Sequence, residues 1–309
     1  MKNTIKGSAV KLKNEYSFSA RFHKSVPSYF LIAPFMIAFI IFIVLPVFSA
    51  IMLSFTDFNM LQLPHFTGFD NYKRLFMSDS VFLNAAKNTL LLALITGPLS
   101  YILCFLFAWL INELPQKLSA LMTVILYAPS ISGQTYVIWS WILSGDRYGL
   151  VNGLLMKVGI ISEPVQWLTD TDYMLGATIV VQLWLSLGTS FLAHIAGLKN
   201  VDTTLYEAGA IDGIHNRLQE VIYITLPSMK PQLLFAAVQQ ISASFGVGAV
   251  QIALTGNPST EYATHTIIAH IFDHSGTRFE MGYACAMSTL LLIIMLAVNR
   301  IINKVLKSD

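Results

Sequence analysis

Two sets of uncharged polar side chains recur at helical spacing within apolar sequence. Gln182, Ser186, Thr189 and Ser190 stand at i, i+4, i+7 and i+8, on one helix face. Gln240, Ser244, Gly248 and Gln251 repeat the idea farther along the chain. Amides and hydroxyls with no charge beside them exchange hydrogen bonds with a neutral, polyhydroxylated molecule. Tyr136, Trp184 and Phe245 would offer flat surfaces to its rings. The same residue types fasten helices together in lipid, for roughly 0.6–2 kcal/mol per contact, so both roles stand open at each position. His265, His270 and His274 have spacing that hints at a metal face. No further ligand is obvious, so they read as solvated loop side chains, and no metal or catalytic residue is assigned. His194 reads as hydrogen-bonded to a neighbouring helix. There is no Gly-x-x-x-x-Gly-Lys phosphate loop, so the chain is not expected to hydrolyse nucleotides.

The elements that hold these residues follow from the distribution of charge. The chain is 55% apolar and 12% charged, against roughly a quarter charged in soluble domains. Six stretches carry no Asp, Glu, Lys or Arg: 29–55, 88–111, 118–143, 174–198, 232–258 and 281–299. Each is long enough to cross a hydrocarbon core as a helix, which takes roughly 17–25 residues. No stretch alternates with the period of two that a barrel strand needs. The expected fold is an all-α membrane protein of six transmembrane helices embedded in a lipid bilayer. With both termini and loops 112–117 and 199–231 on one side, that side holds thirteen of the nineteen lysines and arginines, and the excess marks it as cytoplasmic. Residues 1–28 read as a basic cytoplasmic arm. The apolar run after it is about twice the usual signal-core length, so it reads as an uncleaved first span. Cys104 and Cys285 both fall within spans, which leaves a disulfide framework unsupported. No basic patch with interleaved aromatics points to nucleic acid.

Segment 199–231 is polar and lies between two apolar runs. Asp202 is placed to cap a helix over 203–212. Ala208, Gly209 and Ala210 make that helix slim, and Gly213 suits a left-handed residue just past its end. Asn216 with Gln219 resembles a capping box for a second short helix, which Pro227 and Pro231 should stop and re-aim. The expected result is a rigid elbow. In the loop 144–173, Leu150, Leu154, Leu155 and Val158 share helical spacing, as for a helix lying at the interface or a cap packed over the bundle.

The run Tyr206, Glu207, Ala208, Gly209, Ala210, Ile211, Asp212, Gly213, followed by Ile224, Thr225, Leu226 and Pro227, resembles the EAA loop of binding-protein-dependent ABC importers. It departs in two ways. Gly209 stands where alanine is usual, and ten residues, not nine, separate Gly213 from Ile224. Tyr29 to Pro34, Leu45-Pro46, Ser54 to Asp57, Phe69 to Tyr72, Asn88-Thr89, Trp167-Leu168, Leu254 to Gly256 and Met281 to Ala284 are similar to segments of carbohydrate-importer permeases related to the maltose-transporter F subunit, in its six-span form. Asn216 to Glu220 and Pro227 to Gln232 look most like Gram-positive importers of plant-polysaccharide fragments, such as pectin oligosaccharides.

That resemblance implies a type I importer permease in the cell membrane. Its partners would be a second homologous permease subunit, two copies of a cytoplasmic ABC ATPase and an extracytoplasmic solute-binding protein. ATP and Mg would sit on the ATPase, with no cofactor on this chain. It also implies that Tyr206, Glu207, Ala208, Gly209, Ala210, Asp212, Gly213, Leu226 and Pro227 couple to the ATPase. The rival reading is an ion-coupled secondary carrier of a neutral polar solute. Such carriers often relay through ionisable residues inside the membrane, and the six charge-free stretches offer only His194.

Overall fold

The computed structural model describes residues 18–307, which divide into two compact units, one ending at Met52 and one beginning at Leu53. At the start, helix α1 (Phe18–Phe39) continues through a π-turn (Ile40–Val44) into α2 (Leu45–Leu53). The helix thus begins within the segment expected to be a basic arm, and residues 1–17 of that arm lie outside the described residues. The π-turn has a local cause. Pro46 has no N–H and would crowd the carbonyl four residues back in a regular helix. Just before it, Leu45 N–H reaches back to the Ile40 carbonyl, which widens the turn.

The second unit contains α3 (Asp70–Met77), α4 (Ser80–Asn112), α5 (Gln116–Ile131), α6 (Tyr136–Ile142), α7 (Leu150–Val158), α8 (Thr171–Leu185) and α9 (Thr189–Lys199). It continues with α10 (Thr203–Ile211), α11 (Arg217–Glu220), α12 (Leu226–Ser228), α13 (Lys230–Phe245), α14 (Ala249–Thr255), α15 (Ile267–Phe272) and α16 (Met281–Lys307). Short polar side chains begin several of these by accepting from the free N–H groups of the first turn. Asp79 caps α4, Asp170 caps α8, Asp202 caps α10 and Thr266 caps α15.

Among the described residues, four helical runs, Tyr29–Leu53, Ser80–Asn112, Lys230–Thr255 and Met281–Lys304, are long and apolar enough to cross a membrane, and the number is six if each of two bent pairs is one span. The bent pairs fall in the charge-free stretches 118–143 and 174–198. The chain turns by 90° between α5 and α6 and by 42° between α8 and α9. At the first bend, Thr135 Oγ1 donates to the Ser132 and Pro129 carbonyls, replacing backbone bonds that the turn gives up. At the second, Gly188 N–H closes onto the Ser186 carbonyl at 2.8 Å. By contrast, α4 runs unbroken through Gly97 and Pro98.

Helices α4, α9 and α13 pack on one another, and α16 lies against α13 and α15. Gly97 lets α4 approach α13 closely, since a Cβ there would stand 3.2 Å from Ser244 Oγ. Cys104, Ala108, Phe191, Ile195, Leu198 and Met229 form one buried apolar cluster. Phe82, Ile241, Phe245, Tyr283 and Met287 belong to a second.

Helix α7 forms as its leucine spacing indicated, but it packs through Val151 and Asn152. Leu154 and Val158 are exposed while Asn152 is fully buried. Asn152 Nδ2 donates to the carbonyls of Ser144, Asp146 and Val165, and its Oδ1 accepts from Val165 N–H and Trp167 Nε1. Leucine has similar volume and none of these groups. Asn152→Leu should therefore destabilise the fold by about 2–4 kcal/mol, measured by unfolding in detergent. A change within about 0.5 kcal/mol, the range of an ordinary surface substitution, would remove Asn152 as the keystone of this loop.

Candidate functional site

A cavity of about 340 Å³ opens where α4, α8, α9 and α13 meet. Gln182, Ser186, Thr189, Ser190, Gln240 and Ser244 all line it, together with Thr96 and Ser100 from α4. None of its lining side chains is ionisable. The two polar faces expected on separate helices are thus brought to one place, except that Gly248, which precedes α14, and Gln251, buried within it, lie outside the cavity. Gln240 ties the site together: its Oε1 accepts from Ser190 Oγ at 2.6 Å, and its Nε2 donates to Ser100 Oγ. Gln240 thus fastens three helices and also borders the cavity. Gln182 differs, for its buried Oε1 has no hydrogen-bond partner among the described residues. The α8–α9 break at Ser186–Gly188 borders the same space, as is usual for irregular backbone at membrane depth. Ser100 and Thr96 were not singled out from sequence. Their positions on the face of α4 turned to α9 and α13 become meaningful only once that packing is known.

The aromatic residues go elsewhere. Phe245 is packed in an apolar cluster with Ile241 and Tyr283. Trp184 meets Trp139 edge to face at 5.6 Å, and Tyr136 packs against a third cluster around Val181 and Leu254. None of the three lines the polar cavity. Trp184 is two residues from Gln182, and such a pair points to nearly opposite sides of a helix. His194 also departs from expectation. It is buried between the rings of Tyr101 and Phe105, and neither of its nitrogens has a hydrogen-bond partner among the described residues.

The elbow forms much as its sequence indicates. Asp202 Oδ1 accepts from Thr204 N–H, α10 ends at Ile211, and Gly213 adopts φ +93°. Asn216 accepts from Leu218 N–H, and Gln219 reaches back to His215 N–H. Gly209 is buried: a Cβ there would lie 2.7 Å from Ile224 Cδ1 and 3.2 Å from Ile214 Cδ1. Tyr206 and Thr225 share a hydrogen bond at 2.9 Å. Helix α10 is thereby held to the return arm, leaving Glu207, Ala208, Ala210 and Asp212 exposed. The return arm itself corrects one expectation. Pro227 does not stop it, because a π-turn over Val221–Thr225 precedes Leu226 as another precedes Leu45-Pro46. The break falls at Met229, and Pro231 occupies the first turn of α13. Buried Met229 then seats on α9, where a Cβ at Gly197 would meet its Cε at 2.7 Å.

At the opposite ends of α4 and α16 the three loop histidines are buried, not solvated. His265 Nε2 lies 3.2 Å from His270 Nδ1, and His270 Nε2 lies 3.0 Å from Asp79 Oδ2, which also accepts from Tyr283 Oη at 2.6 Å. His274 Nδ1 meets Glu280 at 2.7 Å, and Arg74 holds the same carboxylate through two nitrogens. Burial pushes the His265 imidazole down to about 4, and the adjacent His270 adds to this. Burial would raise Asp79, but hydrogen bonds from Tyr283 and His270 outweigh it and hold the carboxyl at about 2.

A helical bundle with polar, uncharged lining at membrane depth and a braced elbow at one end defines a multi-pass membrane transport protein. No family model matches the chain. It is 31% identical over 284 residues to the probable ABC transporter permease YesP of Bacillus subtilis, covering 91% of this chain and 90% of that one. It is 28% identical to the arabinooligosaccharides transport system permease AraP of the same organism, covering 91% and 88%. The permease fold is shared with a bacterial alginate ABC transporter, crystallised with its alginate-bound periplasmic protein, at TM-score 0.73 and 25% identity over 94% of this chain and 98% of that one. The chain belongs to the permease subunits of ABC transporters.

The Gly209 contact separates two substitutions. Gly209→Ala meets only the side-chain ends of Ile224 and Ile214, which can rotate, and gains roughly 0.5–1 kcal/mol of helix preference. It should leave transport unchanged. Gly209→Leu should push α10 off the return arm and lower transport by roughly tenfold or more, the equivalent of about 1.4 kcal/mol. Equal transport by both variants would show that this contact does not hold the elbow.

Proposed function

We propose that this chain forms one half of the membrane pathway of an ATP-driven importer for neutral sugars or oligosaccharides. The observation that carries the reading is the elbow, a slim helix tied to a return arm whose far end is seated on the cavity-lining helix α9. Leu205, Ile211, Leu218, Ile222 and Tyr223 stand exposed around it, an apolar surface that fits the groove of an ATPase subunit. In this reading the elbow lies in the cytoplasm, as do both termini, and the histidine end faces outward. A second, homologous permease completes the pathway, two ATPase copies supply ATP and Mg chemistry, and an external binding protein delivers the sugar. Closure of the ATPases moves α10, the Tyr206–Thr225 and Gly209–Ile224 contacts carry the return arm with it, and Met229 shifts α9 at the cavity. ATP biases the gate only if the ATPase grips the two gate states differently.

The cavity chemistry narrows the substrate. Its groups are amides, hydroxyls and backbone, suited to sugar hydroxyls, with no cation to neutralise a uronic acid. Arg278 near the outer mouth is already paired with Asp273 at 2.8 Å. Neutral oligosaccharides therefore fit better than acidic pectin fragments.

Proteoliposomes holding the assembled transporter and its binding protein should take up sugar only with ATP on the elbow side. Gly213→Val should cut that uptake by roughly tenfold. No atom would crowd the new side chain, but the left-handed conformation disfavours it by about 1–2 kcal/mol. Wild-type uptake by this variant, or uptake without ATP, would contradict the proposal. Gln240→Leu should lower stability by about 1–2 kcal/mol through the lost Ser190 and Ser100 bonds and also slow uptake. Unchanged uptake would remove Gln240 from the route.

A further inference from the structure

We propose that Asp79, His270 and His274 form a binding site for a divalent metal ion of the zinc type at the end of the bundle away from the elbow. One ligand atom from each residue lies within 4.8 Å of the others. The three come from different elements: the N-cap of α4, the body of α15 and the π-turn Asp273–Thr277 that follows it. His270 and His274 are 2% and 1% exposed. Neutral imidazole and carboxylate are the ligands zinc prefers, and three protein ligands with a fourth position open is a common zinc arrangement. Calcium and magnesium call for oxygen ligands throughout.

The hydrogen-bond pattern argues for an ion over a purely protein-made brace. His274 spends Nδ1 on Glu280, and its buried Nε2 has no hydrogen-bond partner among the described residues. A brace leaves that lone pair desolvated and unanswered, whereas a metal ion would use it. The groups behind the ligands are also those that orient metal-bound histidines. Glu280 holds His274 and is itself held by Arg74, His265 backs His270, and Tyr283 donates to Asp79. The 3.0 Å between His270 Nε2 and Asp79 Oδ2 is a few tenths of an ångström short of the roughly 3.3–3.6 Å expected for two ligands about 2.0–2.2 Å from one zinc at a tetrahedral angle. Binding would replace the proton that the two atoms share, and the ion would clamp α4 to a segment far along the chain.

The test uses the assembled transporter, purified without a polyhistidine tag, stripped with a chelator and titrated with Zn²⁺ or Co²⁺. The proposal predicts one ion per copy of this chain, two imidazoles in the zinc X-ray absorption spectrum, and a thermal midpoint raised by roughly 4 °C or more at saturation. His274→Gln should lose stoichiometric binding. Tyr283→Phe, which removes a supporting bond but no ligand, should keep it, as should His65→Gln at an exposed histidine outside the cluster. Absence of stoichiometric binding by the wild type, fewer than two imidazoles on the ion, or undiminished binding by His274→Gln would overturn the proposal. The wild-type spectrum decides the matter even if His274→Gln fails to fold.

Discussion

The contact on which the proposed mechanism depends is the seat of Met229 on Gly197. A side chain at the end of the elbow presses directly on the backbone of α9, because glycine leaves room for it. Met229 is also part of the buried cluster with Phe191, Ile195 and Leu198 on the same helix. Packed interiors transmit displacement because they have few voids to absorb it. Ser190 and Phe191 lie in the first turn of α9, just after the Ser186–Gly188 break that borders the cavity. An unbroken line of contacts therefore runs from Tyr206–Thr225 and Gly209–Ile224, through Met229, to Ser190 and Gln240.

The surrounding lipid imposes the second constraint. Without water, each polar group at depth needs a protein partner or a cavity. Gln240 meets that demand with bonds to two helices, and Asn152 does the same in the loop over α6–α8. The bends between α5 and α6 and between α8 and α9 occur where serine or threonine groups or local turns can replace lost ladder bonds. The cavity consequently contains dipoles and no charges. Such a lining can grip a neutral solute in one gate state and release it in the other without stranding a charge in a low-dielectric space.

Much of this was legible in the sequence. The charge-free stretches mark the spans, because the cost of burying charge in lipid leaves a compositional trace. Asp202, Gly213 and the small residues around Gly209 mark the elbow, because caps, left-handed turns and close approaches each demand particular residue types. What escaped depends on long-range packing. The histidines looked solvated because Asp79, Arg74 and Tyr283, which bury and bond them, are remote or adjacent only in space. Trp184, Tyr136 and Phe245 looked available to a sugar, but helix rotation turns them into apolar clusters. The span breaks at 132–135 and 186–188 stayed hidden because apolar composition does not distinguish a straight helix from a bent pair. Pro227 seemed a helix stop, but a π-turn ahead of it accommodates the proline and lets the return arm continue.

The most direct test of the leverage is the accessibility of the cavity as the nucleotide state changes. A cysteine at Ser186, in a chain without Cys104 and Cys285, would be labelled by a membrane-impermeant thiol reagent in the assembled transporter held in nanodiscs. The account predicts that trapping ATP on the ATPase partner changes the labelling rate roughly tenfold, a shift of about 1.4 kcal/mol in the gate. A rate that is the same with and without trapped ATP would contradict it.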